Sequence, residues 1–396
     1  MNVTSCGGVM EYGRSCFIFD LAGRTLMVDC GISKSAETIL ERYPDFSKRD
    51  PAEVDAVFVT HAHEDHTLGL PFAVRLGLHA PVYASETTIR HTLTYFALWR
   101  HAAEQTGMTV PYEQSHEDRV DFVSLPSGKG DWQEMLPGVE VLWGLNGHAP
   151  GSCWYAFRDP VSLETVFFSG DYTMSSVLMP FEWPPALSPD LAVMDAAYGV
   201  CNTSQKECVN DVLDVVDATI ARGKPVVFHA PLSGKGQDWL YLLNAFANEQ
   251  GCRFETDPAL LEETVALFAS GEVRSTVLAE TDRAAVEQCP VIGTGGSSRE
   301  IMLISDEWLL KGAAFMDPGA LVMTTGPVTP SLKKYVNDHR AELMKLPYHV
   351  HPVLDESRAL MTHLQPLDTL FSHADPKTTA SLEEVLIEQS ASKKDR

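Results

Sequence analysis

Residues 61–66 read His-Ala-His-Glu-Asp-His, which places three of the chain's 14 histidines and two carboxylates in one hexapeptide. Imidazole and carboxylate are the donors of hydrolytic metal sites, where ligands converge tetrahedrally and one position stays open to water or substrate. In an extended H-x-H-x-D-H stretch, His61 and His63 project to one side while Asp65 and His66 turn the other way. Such a segment can serve two metal ions lying side by side. Glu64 alternates away from both and is expected in solvent. Three more donors stand in turn-like surroundings: His148 in NGHAPGSC, Asp171 in FFSGDYT and His373 in LFSHAD. Together these seven side chains suit two divalent ions that share one carboxylate.

Donors so far apart in the chain need a scaffold that collects strand ends. SCFIFDL (15–21) and TLMVDCGI (25–32) flank the turn AGR as a hairpin. VDAVFVT (54–60) reads as a short apolar strand with the hexapeptide at its C-terminal end, and TLGLPFAVRLG continues as a helix. Strands are expected at 139–145, 153–159, 165–170 and 191–196, with a helix over 85–103. His148, Asp171 and His373 each follow one of these apolar runs or the late strand before residue 373. From about residue 203, helices and strands alternate: a helix ending at Gly223, the strand KPVVFHAP, a helix closed by Gly251, then the strand ALVMTTG. This alternation implies a parallel sheet flanked by helices. Short strands and one helix return over 346–373, and the charged tail from Pro376 reads as a surface helix.

The 44% hydrophobic content suits a globular protein with a substantial core. The first residues show neither a basic leader nor an apolar core of a signal peptide, and no run nears eighteen apolar residues. Eight scattered cysteines without a C-x-x-C pair fit reduced thiols, hence a cytoplasmic setting without membrane association. A net charge of −24 repels polyanions at long range and argues against a dedicated nucleic-acid coat protein.

The order H-x-H-x-D-H, G-H, S-G-D and a late histidine resembles the metallo-β-lactamase superfamily. The resemblance implies an α/β fold, an αββα sandwich with a dinuclear zinc site at one edge. It implies that His61, His63 and His148 ligate one zinc, that Asp65, His66 and His373 ligate the second, and that Asp171 bridges both. Asp29 in MVDCGI matches the superfamily's strand-end aspartate, which orients a ligand histidine. Within the superfamily, GGVMEYGRSC, MDAAYG, VVFHAPLSGKGQDWLYLL, YHVHPVLDES and FSHAD resemble, in order, the pieces of the β-CASP nucleases. That likeness implies a metallo-β-lactamase domain made of residues 1–199 and 346–396, with a β-CASP-like α/β domain inserted at 200–345. A histidine at the position of His373 is typical of the RNA-cutting members. Where the family usually has a carboxylate soon after the motif of His351, this chain has Pro352 and Val353.

These matches imply a zinc-dependent hydrolase that cuts RNA phosphodiester bonds with a metal-activated hydroxide, Asp65 serving among the catalytic carboxylates. Manganese is the alternative metal, because His/carboxylate sites accept both. His351, rather than His349, is expected as the general acid, oriented by Asp195. Ser233 and Lys235 in LSGKGQ could contact a phosphate at a helix N-terminus, and His229 is expected to be structural. The resemblance makes homodimers plausible. Two other readings remain open: a hydrolase of a small phosphodiester, lactone or thioester on the same scaffold, or a catalytically quiet scaffold subunit.

Overall fold

The structure, a computed structural model, describes residues 2–274, 280–293, 300–310 and 319–394. Apolar runs buried on both faces, such as VLWGL at 141–145 and TVFF at 165–168, form inner strands of its first two sheets. In the first, β1 (Val3–Gly7), β2 (Cys16–Leu21), β3 (Arg24–Val28), β4 (Ala56–Phe58), β5 (Val82–Ala84) and β6 (Phe122–Ser124) lie side by side in chain order. The second contains β7 (Gln133–Leu136), β8 (Val139–Leu145), β9 (Cys153–Arg158), β10 (Thr165–Phe168) and β11 (Leu191–Asp195). A third sheet, wholly parallel, holds β12 (Val226–His229), β13 (Phe254–Thr256), β14 (Ile301–Ile304), β15 (Leu321–Thr324) and β16 (Glu342–Lys345) in the order β13-β14-β12-β15-β16. The last strand, β17 (Asp368–Ser372), returns to the second sheet and pairs parallel with β11.

Period-two alternation sorts the side chains into layers. Phe17 and Phe19 of β2 face Trp143, Tyr155, Phe157 and Phe168 of the second sheet. Cys16 and Ile18 point the other way, toward α2 (Leu70–Arg75) and α3 (Glu86–Thr106), which in the chain follow the short α1 (Glu64–Thr67) and precede α4 (Gln114–Glu117). The third sheet is covered by α5 (Gln205–Ile220), α6 (Lys235–Gln250), α7 (Pro258–Ser270) and α8 (Glu280–Glu287) toward one side. Its other side carries α9 (Asp306–Leu310) and α10 (Pro330–His339). Finally α11 (Leu354–Leu364) and α12 (Pro376–Lys394) cover the outer face of the second sheet, where Leu354, Leu360 and Leu382 meet Trp154 and Phe167. Helix, sheet, sheet, helix is the αββα sandwich, with a further α/β layer system on the third sheet.

Local signals set many boundaries. The Ser85 hydroxyl accepts a hydrogen bond from Thr88 N–H and starts α3. Ser204 and Glu207 form a capping box at the start of α5. Three sequence expectations are corrected. β3 ends at Val28 instead of reaching Ile32, because Asp29 adopts a left-handed φ of 58° that no strand tolerates. The expected helix is two short ones parted at Leu68–Gly69, and the first, α1, already takes in Glu64, Asp65 and His66, so the hexapeptide is extended only up to His63. Residues 346–373 contain a single strand, since prolines 347 and 352 cannot donate to a ladder and leave Tyr348–Val353 as loop.

Candidate metal centre

The hexapeptide leaves the C-terminal end of β4 and is fixed by backbone bonds from two neighbouring loops. Ser15 N–H donates to the Asp65 carbonyl at 2.9 Å, Cys30 N–H to that of His66 at 2.8 Å, and Ile32 N–H to that of Glu64 at 3.1 Å. The approach is so close that a Cβ on Gly31 would lie 1.6 Å from the Asp65 carbonyl oxygen. Only glycine fits there.

Two donor sets result. The ring nitrogens of His61, His63 and His148 come together, with His63 Nδ1 3.1 Å from both His61 Nε2 and His148 Nε2. Asp65, His66, Asp171 and His373 form the second set, their ligand atoms all within 4.8 Å of one another. Asp171 stands between the sets. Its Oδ2 lies 3.8 Å from His61 Nε2 and 3.9 Å from His148 Nε2. Its Oδ1 lies 3.4 Å from His66 Nε2 and 3.1 Å from His373 Nδ1. His351 approaches the same carboxylate at 3.8 Å, and its Nδ1 is 2.8 Å from Asp195 Oδ2.

Supporting partners orient these rings. Asp29 Oδ2 lies 2.7 Å from His66 Nδ1, and Asp29 is itself held by Thr60 N–H and Thr60 hydroxyl at 2.7 and 2.8 Å. His148 Nδ1–H donates to the Val350 carbonyl at 2.6 Å, which leaves the lone pair on Nε2 facing the first set. Asn146 ties two loops together, since Nδ2 donates to the Ser169 carbonyl and Oδ1 accepts from His148 N–H. His373, like Asp29, has a left-handed φ, here 59°. Non-glycine residues held this way cluster at working sites.

The electrostatics separate the two sets. Burial first, then repulsion from neighbouring imidazoles, pushes the rings of the first set down, His63 to about 4 and His148 to about 3, with His61 also well below its usual value. All three are neutral lone-pair donors at neutral pH. In the second set burial opposes protonation, but the Asp171 carboxylate overrides it, raising His373 to about 9 and His66 well above its usual value. Burial likewise opposes ionisation of Asp171, yet His373, His66 and His351 hold its carboxyl well below the ordinary range. Three imidazole nitrogens converging beside buried carboxylates are the donor chemistry of a divalent cation site.

Residues 10–193 match the metallo-beta-lactamase superfamily. This segment belongs to that superfamily. The superfamily resemblance carried by the motifs holds for this segment. The chain is 28% identical over 252 residues to transcription termination factor FttA of Methanosarcina mazei, covering 61% of this chain and 39% of that protein. It is 27% identical over 270 residues to ribonuclease TTHA0252 of Thermus thermophilus, covering 67% and 59%. To Integrator complex subunit 11 of Gallus gallus it is 27% identical over 259 residues, covering 62% and 42%. The chain thus spans 39% to 59% of the length of these relatives. A crystal structure of a protein of unknown function from Enterococcus faecalis shares the fold, with a TM-score of 0.58 and 12% identity over 95% of both chains.

Other residues singled out in the sequence lie around this metallo-β-lactamase domain or beyond it. His349 is buried, its backbone clasped by Gln205 and its ring 5.0 Å from that of Tyr198. Glu64 pairs with Lys34 at 2.7 Å, partly covered where free solvation was expected. His229 is buried, with Nδ1 3.4 Å from Thr324 Oγ1. Gly234, at the start of α6, packs against the backbone of His148, so Ser233 and Lys235 lie near the centre. Both already have protein neighbours: Ser233 Oγ is 3.5 Å from His91 Nδ1, and Lys235 Nζ is 3.5 Å from the Thr325 carbonyl. Burial, then Lys345, pulls the Lys235 amine down to about 8.

Sequence reasoning missed the residues that hold the loop after Asp171. Asp238 of α6 accepts from Ser176 hydroxyl, Val177 N–H, Leu178 N–H and Tyr348 hydroxyl. Glu356 of α11 accepts from Met174 N–H and from the Ser175 hydroxyl, and Arg274 donates to the Met174 and Met179 carbonyls. Asp238 sits in QDWLYLL, whose polar residue inside a helical apolar run was the available signal.

Proposed function

We propose that the chain is a metal-dependent ribonuclease that cleaves RNA phosphodiester bonds at this centre. The observation that carries the reading is the placement of Asp171, each of whose oxygens faces one donor set. In this reading His61, His63 and His148 hold one zinc ion, Asp65, His66 and His373 hold another, and Asp171 serves both, manganese being the alternative metal. Bound ions of this kind polarise phosphoryl oxygens and acidify water to a nucleophile at neutral pH.

The chain's own groups do the rest. Asp29 fixes the tautomer of His66 so that Nε2 faces the centre. Asp195 accepts a hydrogen bond from His351 Nδ1–H, so in the doubly protonated ring the proton available to a leaving oxygen is the one on Nε2, and the neutral ring keeps its Nδ1–H. Asp65 lies 3.7 Å from His373 Nε2 and adds negative charge beside the second set. Lys235, with Ser233 beside it, is a phosphate contact, supported by its position next to the His148 loop.

We read residues 1–199 and 346–396 as the metallo-β-lactamase domain and 200–345 as an inserted β-CASP-like domain. That division is supported by the third sheet, whose strands all fall between Val226 and Lys345. A reducing, cytoplasmic setting is supported by eight free cysteines, and no helix among the described residues is long and apolar enough to cross a membrane. Homodimers, implied by the family resemblance, can be sought by light scattering. One observation favours a smaller substrate: a net charge of −24 opposes long-range attraction of RNA, as it would not for a small phosphodiester or lactone.

The test is cleavage of labelled single-stranded RNA beside bis-aryl phosphate and a lactone, with metal content measured on the same protein. RNA cleavage abolished in Asp171→Ala supports the reading. Equal RNA cleavage by parent and variant refutes it, and turnover of only the small esters shifts the assignment to the second reading.

A further inference from the structure

An acidic chain that handles RNA cannot rely on charge alone to hold it, because phosphate contacts supply the usual affinity and this surface repels them. Base stacking is the contribution that does not depend on net charge. Among the described residues only two aromatic side chains count as exposed, Trp183 at 50% and Tyr12 at 46%. The Trp183 ring packs on those of Phe181 and His363 and, among the described residues, meets the ring of none of the donor histidines. Tyr12 stands at the centre: its ring lies 6.0 Å from that of His373, edge-on at 73°, and its hydroxyl is 3.4 Å from Asp375 Oδ2.

The loop that presents Tyr12 is tied down on every side. Gly8, Met10, Gly13 and Arg14 all adopt left-handed φ values, 90°, 58°, 79° and 58°. The Gly8 carbonyl accepts from His373 N–H at 2.9 Å, Ser15 N–H donates to the Asp65 carbonyl at 2.9 Å, and Arg14 N–H donates to that of Ile32 at 3.1 Å. Inside the loop, Glu11 Oε1 accepts from Gly8 N–H and from Arg14 Nε, each at 3.0 Å. Met10, 48% exposed, adds an apolar neighbour two residues away. An exposed aromatic ring on a loop bonded to the loops of both Asp65 and His373 is ordered before any ligand arrives, which lowers the entropic cost of contact.

We propose that Tyr12 is a stacking platform for a nucleobase of single-stranded RNA next to the phosphodiester held at the His/Asp centre. This inference rests on the ribonuclease reading and adds a subsite to it. Stacking tolerates any base, so the platform confers affinity and register without sequence preference.

The test uses the metal-loaded protein and a short single-stranded oligoribonucleotide. Tyr12→Ala raises KM about tenfold, while Tyr12→Phe and Tyr12→Trp stay within about twofold of the parent, because both keep a stacking face. Abasic residues are then moved along the oligonucleotide. At one position the missing base erases the difference between parent and Tyr12→Ala, which identifies the stacked nucleotide. If the parent cleaves the intact oligonucleotide and Tyr12→Ala has the same KM, or if its deficit persists at every abasic position, the platform is refuted while the ribonuclease reading stands. If the parent neither binds nor cleaves the oligonucleotide, the ribonuclease reading fails and the platform falls with it.

Discussion

His351 Nδ1 lies 2.8 Å from Asp195 Oδ2, although 156 residues separate the two in the chain. Asp195 ends β11 and is buried, its Oδ1 accepting from Ala197 N–H and its Oδ2 from Tyr172 N–H, so the fixed carboxylate holds one imidazole in one orientation. His351→Ala is expected to lower kcat on RNA by about 10²- to 10⁴-fold, the usual share of a general acid. Metal content by elemental analysis should remain that of the parent. Loss of metal instead would make His351 a ligand, an arrangement its grouping with His148 and Asp171 allows.

Asp29 and His66 form the second oriented pair, both buried. Asp29→Ala should weaken metal binding about 10- to 100-fold, as measured by chelator competition, because His66 loses the partner that sets its tautomer. The same change should leave Thr60 N–H without its acceptor and so cost stability as well. An unchanged chelator midpoint would remove Asp29 from the centre's support.

Asp238 carries the register of the Asp171 loop. Its replacement by alanine strands four donors, two hydroxyls and two backbone N–H groups. A destabilisation of about 3 kcal/mol is expected in urea unfolding, with reduced metal stoichiometry from the loosened loop.

Glu263 of α7 accepts from Arg90 at 2.8 Å and lies 2.9 Å from His91 Nε2, both on α3. Burial pushes its carboxyl up, but His91 and Arg90 outweigh burial and hold it at about 2. A carboxylate depressed in this way adds stability above its ordinary value of 4.5, and that stability is lost as pH falls from there through about 2. Hydrogen exchange in α3 and α7 should therefore be faster in Glu263→Gln than in the parent at pH 7, and the difference should shrink between those two values. A difference constant across that range would mean the ion pair is not what joins the helices.

Gly31→Ala tests the seat of the hexapeptide. The new methyl would meet backbone at 1.6 Å, which no rotamer relieves. Either the 64–66 segment shifts and metal affinity falls by more than tenfold, or the protein fails to fold; parent-like metal content and stability would contradict the packing described.

The chain's local chemistry was readable from its order alone. Strand runs such as Val139–Leu145, the caps at Ser85 and Ser204, and the glycine at the end of α6 follow from short-range sterics and hydrogen bonding, which neighbours in sequence specify. So did the types of the donors, since few residues other than histidine and aspartate suit such a cation. Convergence was another matter. That Asp171 turns one oxygen to each set, that Val350 carbonyl aims His148, and that Asp238 of a distant helix clamps the loop of Asp171 depend on contacts between residues 60 to 202 positions apart. No period or motif encodes such distances, because they arise only when packed sheets bring strand ends to one edge. The left-handed turns at Asp29 and His373 belong to the same class: locally unfavourable, they persist only because the surrounding bonds over-determine them.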